Sequence, residues 1–208
     1  TGNYTVDKNK RHPVDCFKKE FTAKSDIKSA RLYATDCGIY SAYINGEKVS
    51  MPLAPGITDY KKRVQYQTYD VTNLIKENNV INIDLADGWY RGSCGAWGLK
   101  NQYGIETKIL VQLEIRYQNG KTDTIISDES WLWSNDGAVS FADNKDGEIV
   151  DANKTPSYFD KAKLTSHNVT PTASNNVPIA EKETFKGEMT TAPSGKKLIN
   201  FKQNMAGY

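Results

Sequence analysis

The chain has 208 residues, which is enough for one large or two small domains. Its 27 Lys and Arg residues nearly balance 25 Asp and Glu residues, and the formal net charge is +2. We expect no nucleic-acid partner, because the sequence has no basic stripe to attract a polyanion. We also expect no membrane span, because every apolar run is far shorter than the ~20 residues needed to cross a bilayer.

The aromatic content is the most informative part of the composition. The chain has 12 Tyr, 6 Phe and 4 Trp but only two His, and all four Trp fall within residues 89–133. This composition predicts a β protein that binds a ligand through aromatic faces, and it argues against His-based catalysis. His12 lies in a polar N-terminal segment and His167 in a Ser/Thr-rich one, and both are predicted to be surface residues.

Alternation of apolar and polar residues predicts short, half-buried strands over most of residues 16–150. Asn45-Gly46 and Asn119-Gly120 each separate two alternating runs, which indicates antiparallel hairpins whose turn residues need positive φ. One helical turn is expected just after Asp70, whose carboxylate can cap it. The predicted strands are residues 16–21, 30–34, 39–44, 80–85, 109–117, 122–126 and 197–201. This pattern predicts an all-β, jelly-roll β-sandwich.

A change of composition near residue 153 predicts the domain organisation. From there to residue 197 the chain is rich in Thr, Ser, Asn, Pro and Lys, which is typical of loops. The predicted organisation is an N-terminal arm (1–13), a β-sandwich domain (14–165), a linker (166–196) and the incomplete start of a further β domain (197–208).

Metal and thiol chemistry have little support in the sequence. Cys16, Cys37 and Cys94 lack the spacing of a zinc site or a disulfide framework, and are predicted to be free thiols. Residues 143–151 hold the densest group of carboxylates. They could bind Ca²⁺ through oxygen ligands, but they lack the order of an EF-hand, and a solvated acidic turn is the favoured interpretation.

Residues 85–98 form the most unusual segment, with four Gly, two Trp, one Tyr, one Asp and one Arg. They are predicted to leave a strand and enter a flexible loop. Aromatic faces beside a carboxylate suit a sugar, whose C–H face stacks on the ring while its hydroxyls donate to the acid. The alternative is that Trp89 and Tyr90 close the end of the sandwich core. Trp131 and Trp133 are predicted to lie in a strand, in the core or on its surface.

A series of short motifs occurs in a characteristic order. They are residues 17–21 (FKKEF), 30–33 (ARLY), 38–40 (GIY), 43–46 (YING), 53–56 (LAPG), 58–60 (TDY), 65–72 (QYQTYDVT), 87–92 (DGWYRG), 128–131 (DESW) and 146–148 (DGE). The series resembles the N-terminal β-sandwich domain of bacterial α-L-rhamnosidases. Residues 200–208 resemble the opening of the next rhamnosidase domain, with departures at Asn200, Lys202 and Tyr208.

The resemblance implies a galactose-binding-like jelly roll from an inverting glycoside hydrolase. In that family the two catalytic acids lie in an (α/α)6 barrel further along the chain, so this fragment is expected to be non-catalytic. The barrel of the same chain is the expected docking partner. Some members bind L-rhamnose with Ca²⁺, which makes both candidate ligands. The candidate sugar contacts are Asp87, Trp89, Tyr90, Trp97 and Asn101.

Two matters stay open at this point. The alternative family is the sugar-binding domain of a β-galactosidase-like glycoside hydrolase, which shares the signal of the helical turn after Asp70. Residues 87–92 argue against that alternative. Cytoplasmic, periplasmic and secreted locations are all compatible with the sequence.

Overall fold

The computed structural model describes residues 1–204, so the predicted motif at residues 205–208 lies outside the described part. The chain forms two compact units, Thr1–Pro178 and a second unit that begins at Ile179. The strands are β1 (Asp15–Thr22), β2 (Ile27–Cys37), β3 (Ile39–Ile44), β4 (Glu47–Lys48), β5 (Gln65–Asp70), β6 (Asn78–Ala86), β7 (Lys108–Tyr117), β8 (Thr122–Ile126), β9 (Leu132–Ser134), β10 (Val139–Asp143), β11 (Gly147–Val150), β12 (Asp160–Lys161), β13 (Thr172–Ala173), β14 (Glu188–Thr191) and β15 (Lys197–Asn200).

The first unit is a sandwich of two sheets, which confirms the predicted fold class. One sheet has the order β12-β9-β1-β6-β3-β4 and the other β13-β5-β2-β7-β8, while β10 and β11 form a separate hairpin. All pairings are antiparallel except β13 with β5. The second unit contains the hairpin of β14 and β15.

The sheets bury every second residue, as the alternation predicts. Ala30, Leu32 and Ala34 of β2 are buried in the core, whereas Tyr33 between them is only half-buried. Trp131 and Trp133 are each 2% exposed and belong to the same core. They therefore serve packing and are not displayed on the surface.

The two Asn-Gly pairs make different turns. Asn45 and Gly46 have φ of 52° and 85°, so they form the two-residue turn that joins β3 to β4. In the second hairpin only Gly120 has positive φ, at 81°. The Tyr117 N–H donates to the Lys121 carbonyl there, so the loop has three residues, and Asn119 does not have the positive φ that the sequence predicted for the turn residues. The antiparallel pairing of β7 and β8 is confirmed.

Helical structure is sparse. A 3-10 turn occupies Thr72–Leu74, and the Asp70 carboxylate accepts a hydrogen bond from the Thr72 N–H over 3.0 Å, as the sequence predicts. Within residues 1–204, no helix combines the length and the apolar character that crossing a membrane requires.

The N-terminal arm packs against the sandwich. The Tyr4 ring stacks on Trp133 with a centroid separation of 5.7 Å, and the Thr1 amino group donates to the Lys163 carbonyl. His12 is 7% exposed beside Tyr4, so its predicted surface position is wrong. The reason is that the N-terminal arm packs against the sandwich and places the Tyr4 ring 6.0 Å from the imidazole. Burial lowers the pKa of His12.

The first unit continues beyond residue 165, where the sequence predicted a linker. Thr172 of β13 donates its N–H to the Val64 carbonyl, which extends the five-stranded sheet. The predicted linker 166–196 thus contains β13 and β14. These strands were not predicted because their composition is polar. They pair through backbone groups and bury few side chains, so no alternation of apolar residues marks them.

Candidate functional site

A single helical turn, α1 (Gly88–Arg91), follows β6 where the sequence predicted a flexible loop. The Arg91 side chain is 2% exposed, and its Nε donates to Asp87 Oδ1 over 2.8 Å. Arg91 Nη1 donates to the Tyr4 hydroxyl over 2.8 Å. A buried guanidinium requires such partners, so these contacts hold the turn in place.

The Asp87 carboxylate forms a structural ion pair with Arg91. Asp87 is itself 8% exposed, and its Oδ1 also lies 2.6 Å from Arg91 Nη2. Burial lowers the pKa of Arg91, but Asp87 and Tyr4 act in the opposite direction and the net shift is upward. Arg91 is therefore charged at all physiological pH values, and its positive charge is compensated by Asp87.

Tyr90 packs into a small aromatic cluster at the end of the sandwich. Its ring meets Tyr60 edge-to-face at 5.2 Å, and Tyr60 meets Tyr103 at 5.0 Å. Cys37 and Val64 are also buried in this cluster, and Trp89 packs against it. Burial raises the pKa of Tyr90 to about 12. Tyr90 thus fills the end of the core, which is the packing role that the sequence left open beside ligand contact.

Trp89 is half-buried next to residues 143–151, which we call the acidic run. The Asn144 side-chain amide takes the orientation that satisfies both of its neighbours. Trp89 Nε1 donates to the Asn144 amide oxygen over 2.7 Å, and the Asn144 amide nitrogen donates to the Ser93 carbonyl. Asp143 Oδ2 accepts from the Ser93 N–H over 2.8 Å. The acidic run is therefore attached to the segment that follows α1.

The acidic run uses its carboxylates for local contacts. Asp143 Oδ1 accepts from the N–H groups of Lys145 and Asp146. Burial raises the pKa of Asp143, but the hydrogen bonds from these N–H groups and from that of Ser93 lower it, and the pKa stays below its ordinary value. Asp146 pairs with Lys100 at 3.0 Å. In the part of the chain that the structure describes, no three His, Cys, Asp or Glu side chains are grouped to hold a metal ion, and Ca²⁺ binding stays a prediction.

Trp97 occupies the tip of a closed loop. Cys94 and Leu99 exchange two backbone hydrogen bonds of 3.0 and 3.1 Å, which fixes the base of the loop. Gly95 and Gly98 have positive φ, and Trp97 between them is 87% exposed. An indole displayed in this way has no packing role in the domain.

Asn101 joins the segment after α1 to the rest of the domain. Its N–H donates to the Arg91 carbonyl over 2.9 Å, and its Nδ2 donates to the Lys8 carbonyl over 3.3 Å. The structure thus brings Asp87 and Asn101 into contact with Arg91, while the Tyr90 ring packs against Tyr60. Trp89 lies on the side of the acidic run, and Trp97 projects from the loop tip.

Asp36 is a buried acid that the sequence analysis missed. It is 2% exposed, and neither carboxylate oxygen has a hydrogen-bond partner. The signal was present in the alternation of β2, because Ala34 points inward and Asp36 is two residues later. A charged carboxylate at an inward position of a central strand lowers the stability of the fold unless it is protonated or paired with another group.

The backbone at Gly38 lies close to the start of α1 because two glycines permit the approach. A Cβ on Gly88 would lie 2.4 Å from the carbonyl carbon of Gly38, and one on Gly38 would lie 3.5 Å from Asp36 Oδ2. The turn at residues 36–38 therefore contacts the start of α1. We call this turn, α1 and residues 92–104 together the α1 end of the sandwich.

We expect Asp36→Asn to gain stability relative to the wild type as the pH rises. Burial raises the pKa of Asp36 well above its ordinary value, so the folded state holds the proton more tightly than the unfolded state does. The resulting stabilisation is complete below the ordinary aspartate pKa of about 4 and is lost as the pH rises through the folded-state value. Urea unfolding of both proteins from pH 4 to 8 measures the difference.

Asp136→Asn is the matched control for Asp36→Asn. Hydrogen bonds from Ser134 and Ser157 lower the pKa of the exposed Asp136 carboxyl to about 2. Its stabilisation is therefore complete above the ordinary aspartate pKa of about 4 and is lost only as the pH falls from there towards 2, so the stability difference between this variant and the wild type should stay nearly constant from pH 4 to 8. A pH-independent difference for Asp36→Asn would contradict its assignment as a buried carboxyl without partners.

Comparison with known proteins identifies the domain. The family model described as the α-L-rhamnosidase N-terminal domain matches residues 25–191. The chain belongs to the family of α-L-rhamnosidase N-terminal domains. The resemblance noted in the sequence is confirmed, and the family differs from the β-galactosidase-like alternative.

The relatives of this α-L-rhamnosidase N-terminal domain are much longer proteins. An α-L-rhamnosidase of Streptomyces avermitilis is 38% identical over 200 residues, which are 87% of this chain and 19% of that protein. One from Formosa agariphila is 33% identical over 215 residues, covering 94% of this chain and 23% of that protein. The chain thus spans about a fifth of the length of the curated relatives it matches.

Solved structures match the same domain. The crystal structure of the Streptomyces avermitilis α-L-rhamnosidase complexed with L-rhamnose aligns with a TM-score of 0.85 and 33% identity, covering 94% of this chain and 20% of that one. The native α-L-rhamnosidase from Aspergillus terreus aligns with a TM-score of 0.84 and 29% identity, covering 98% and 25%.

Proposed function

We propose that this chain is a non-catalytic accessory domain of an α-L-rhamnosidase that releases terminal α-L-rhamnose from glycosides. The observation that carries the proposal is the extent of the match, which includes most of this chain but only about a fifth of each curated relative. The rest of each relative is long enough to contain the catalytic barrel. Two acids of the α1 end are also withdrawn from solvent, since Asp87 pairs with the buried Arg91 and Asp36 is 2% exposed.

The first role of the domain is docking onto the catalytic (α/α)6 barrel of the same chain. Exposed apolar side chains support this role, because contact with another domain would remove their apolar surface from water. Ile149 and Val150 of β11 are 51% and 55% exposed, and Phe159 is 60% exposed.

The second role is binding of L-rhamnose or a rhamnoside at the α1 end. The five candidate contacts are Asp87, Trp89, Tyr90, Trp97 and Asn101. Trp97 is the strongest of them, because its indole is exposed on a loop whose base is closed by two hydrogen bonds. A preformed aromatic face loses little entropy when a sugar stacks on it. Asp87 and Tyr90 act chiefly by holding the segment that carries this loop.

Trp97→Ala is expected to weaken L-rhamnose binding at least tenfold, because it removes the stacking face. Calorimetric titration of the 208-residue chain with millimolar L-rhamnose, with and without a chelator, measures the effect. A loss of heat with the chelator would assign a role to Ca²⁺. The unfolding free energy of Trp97→Ala should stay within ~0.5 kcal/mol of the wild type, because the side chain is exposed.

Leu99→Ala is the control for the titration, since Leu99 is also exposed, at 54%, and lies at the base of the same loop. It should bind L-rhamnose like the wild type. If titration of the wild type with L-rhamnose releases no heat, the binding role is refuted and docking onto the barrel is the remaining proposed role. Equal binding by Trp97→Ala and the wild type would refute the assignment of Trp97.

A further inference from the structure

The outer face of the five-stranded sheet carries a groove that is separate from the α1 end. The groove has a volume of about 530 Å³, and its lining includes Tyr33, Tyr66, Gln112 and Glu114. Pockets that take small ligands commonly have volumes of about 300–1,000 Å³. None of the five candidate sugar contacts at the α1 end lines this groove.

The strand register arranges the floor of the groove as a row across four strands. Tyr33 of β2 pairs with Gln112 of β7, and Tyr66 lies on β5, the strand on the other side of β2. Gln112 in turn pairs with Ile126 of β8. Three strand spacings of about 4.8 Å give a row about 14 Å long, which suits a short chain of sugar rings better than a single ring.

Two tyrosines give the groove an aromatic platform. The Tyr33 and Tyr66 rings are 6.0 Å apart at an angle of 74°, and both side chains are half-buried. Each ring therefore packs against its partner while the residue stays partly exposed to solvent. Tyrosine combines an apolar face with a hydroxyl group, which matches the alternating C–H and O–H surfaces of a pyranose.

The polar groups beside this platform are held in place and balanced in charge. Gln112 Nε2 donates to Glu114 Oε1 over 2.9 Å, and Arg116 Nη2 donates to Glu114 Oε2 over 3.3 Å. The carboxylate is thus neutralised by Arg116, which favours an uncharged ligand. Leu110, Val111 and Ile126 add apolar surface to the lining beside these polar groups.

We propose that this groove binds an uncharged oligosaccharide chain through the Tyr33–Tyr66 platform and the Gln112–Glu114 pair. It is a second carbohydrate site, on a different face from the α1 end, and it does not depend on the proposed rhamnose site. Its role is to hold the domain on a polysaccharide, while the α1 end recognises a terminal sugar.

Native affinity gels test the proposal with the 208-residue chain. The gels contain one of three neutral polysaccharides, namely galactan, arabinan or xyloglucan. At least one of them should retard the chain, and its trisaccharide should compete at least tenfold better than its monosaccharide. Tyr33→Ala and Tyr66→Ala should each weaken the retardation at least tenfold. Gln112→Ala, which leaves the aromatic platform intact, should weaken it to a smaller extent.

Tyr43→Ala is the matched control, because Tyr43 is a half-buried tyrosine of β3 in the other sheet. It should be retarded like the wild type. Trp97→Ala should also be retarded normally, which separates this site from the rhamnose site. Lack of retardation by all three polysaccharides would overturn the proposal, as would full retardation of both tyrosine variants. Near-UV circular dichroism verifies that each variant is folded.

Discussion

Replacement of Arg91 by Met is expected to lower the free energy of unfolding by about 3–5 kcal/mol, because it leaves the Asp87 carboxylate buried without its partner. The same change removes the hydrogen bond to the Tyr4 hydroxyl. Urea denaturation of the chain measures the loss. The double variant Arg91→Met/Asp87→Leu should recover part of it, since no buried charge remains.

The surface pair Lys100–Asp146 supplies the control for Arg91→Met. The two side chains are 43% and 41% exposed, so Lys100→Met should cost less than about 1 kcal/mol. A similar cost for Arg91→Met would show that the Arg91–Asp87 pair does not hold α1 in place.

Trp133→Ala is expected to cost about 3–5 kcal/mol of stability, since it empties the space of a buried indole. It also removes the hydrogen bond from Trp133 Nε1 to Asp15 Oδ1 and the stacked contact with Tyr4. Trp133→Phe keeps most of the volume and should cost less. Chemical denaturation monitored by circular dichroism gives both values.

Trp97→Ala is the control for Trp133→Ala, because it makes the same change at an exposed position. It should alter the free energy of unfolding by no more than about 0.5 kcal/mol. Equal costs at the two positions would contradict the assignment of Trp133 to the core and of Trp97 to a displayed loop.

The strands were predictable because their signal is local. Side chains alternate along β2 and β7, and the turn at Asn45-Gly46 needs positive φ at two successive residues. The β-sandwich follows from many such segments at short spacing. The three-residue loop at Gly120 was less predictable, because an Asn-Gly pair is compatible with more than one turn.

The candidate site was predictable in outline but not in its contacts. Residues 87–92 were singled out by composition, yet a four-residue helix has no periodicity that a sequence can reveal. The α1 turn depends on Tyr4, which is 87 residues away from Arg91 along the chain. Composition also could not separate Trp133, which is buried, from Trp97, which is exposed, because that difference depends on the tertiary structure.

The central claim is that this domain assists an α-L-rhamnosidase without performing its chemistry. Incubation of the purified 208-residue chain with 4-nitrophenyl α-L-rhamnoside tests it most directly. The account predicts that nitrophenol release stays at the rate of the buffer alone. Release that rises in proportion to the concentration of the chain, and that persists through successive purification steps, would contradict it.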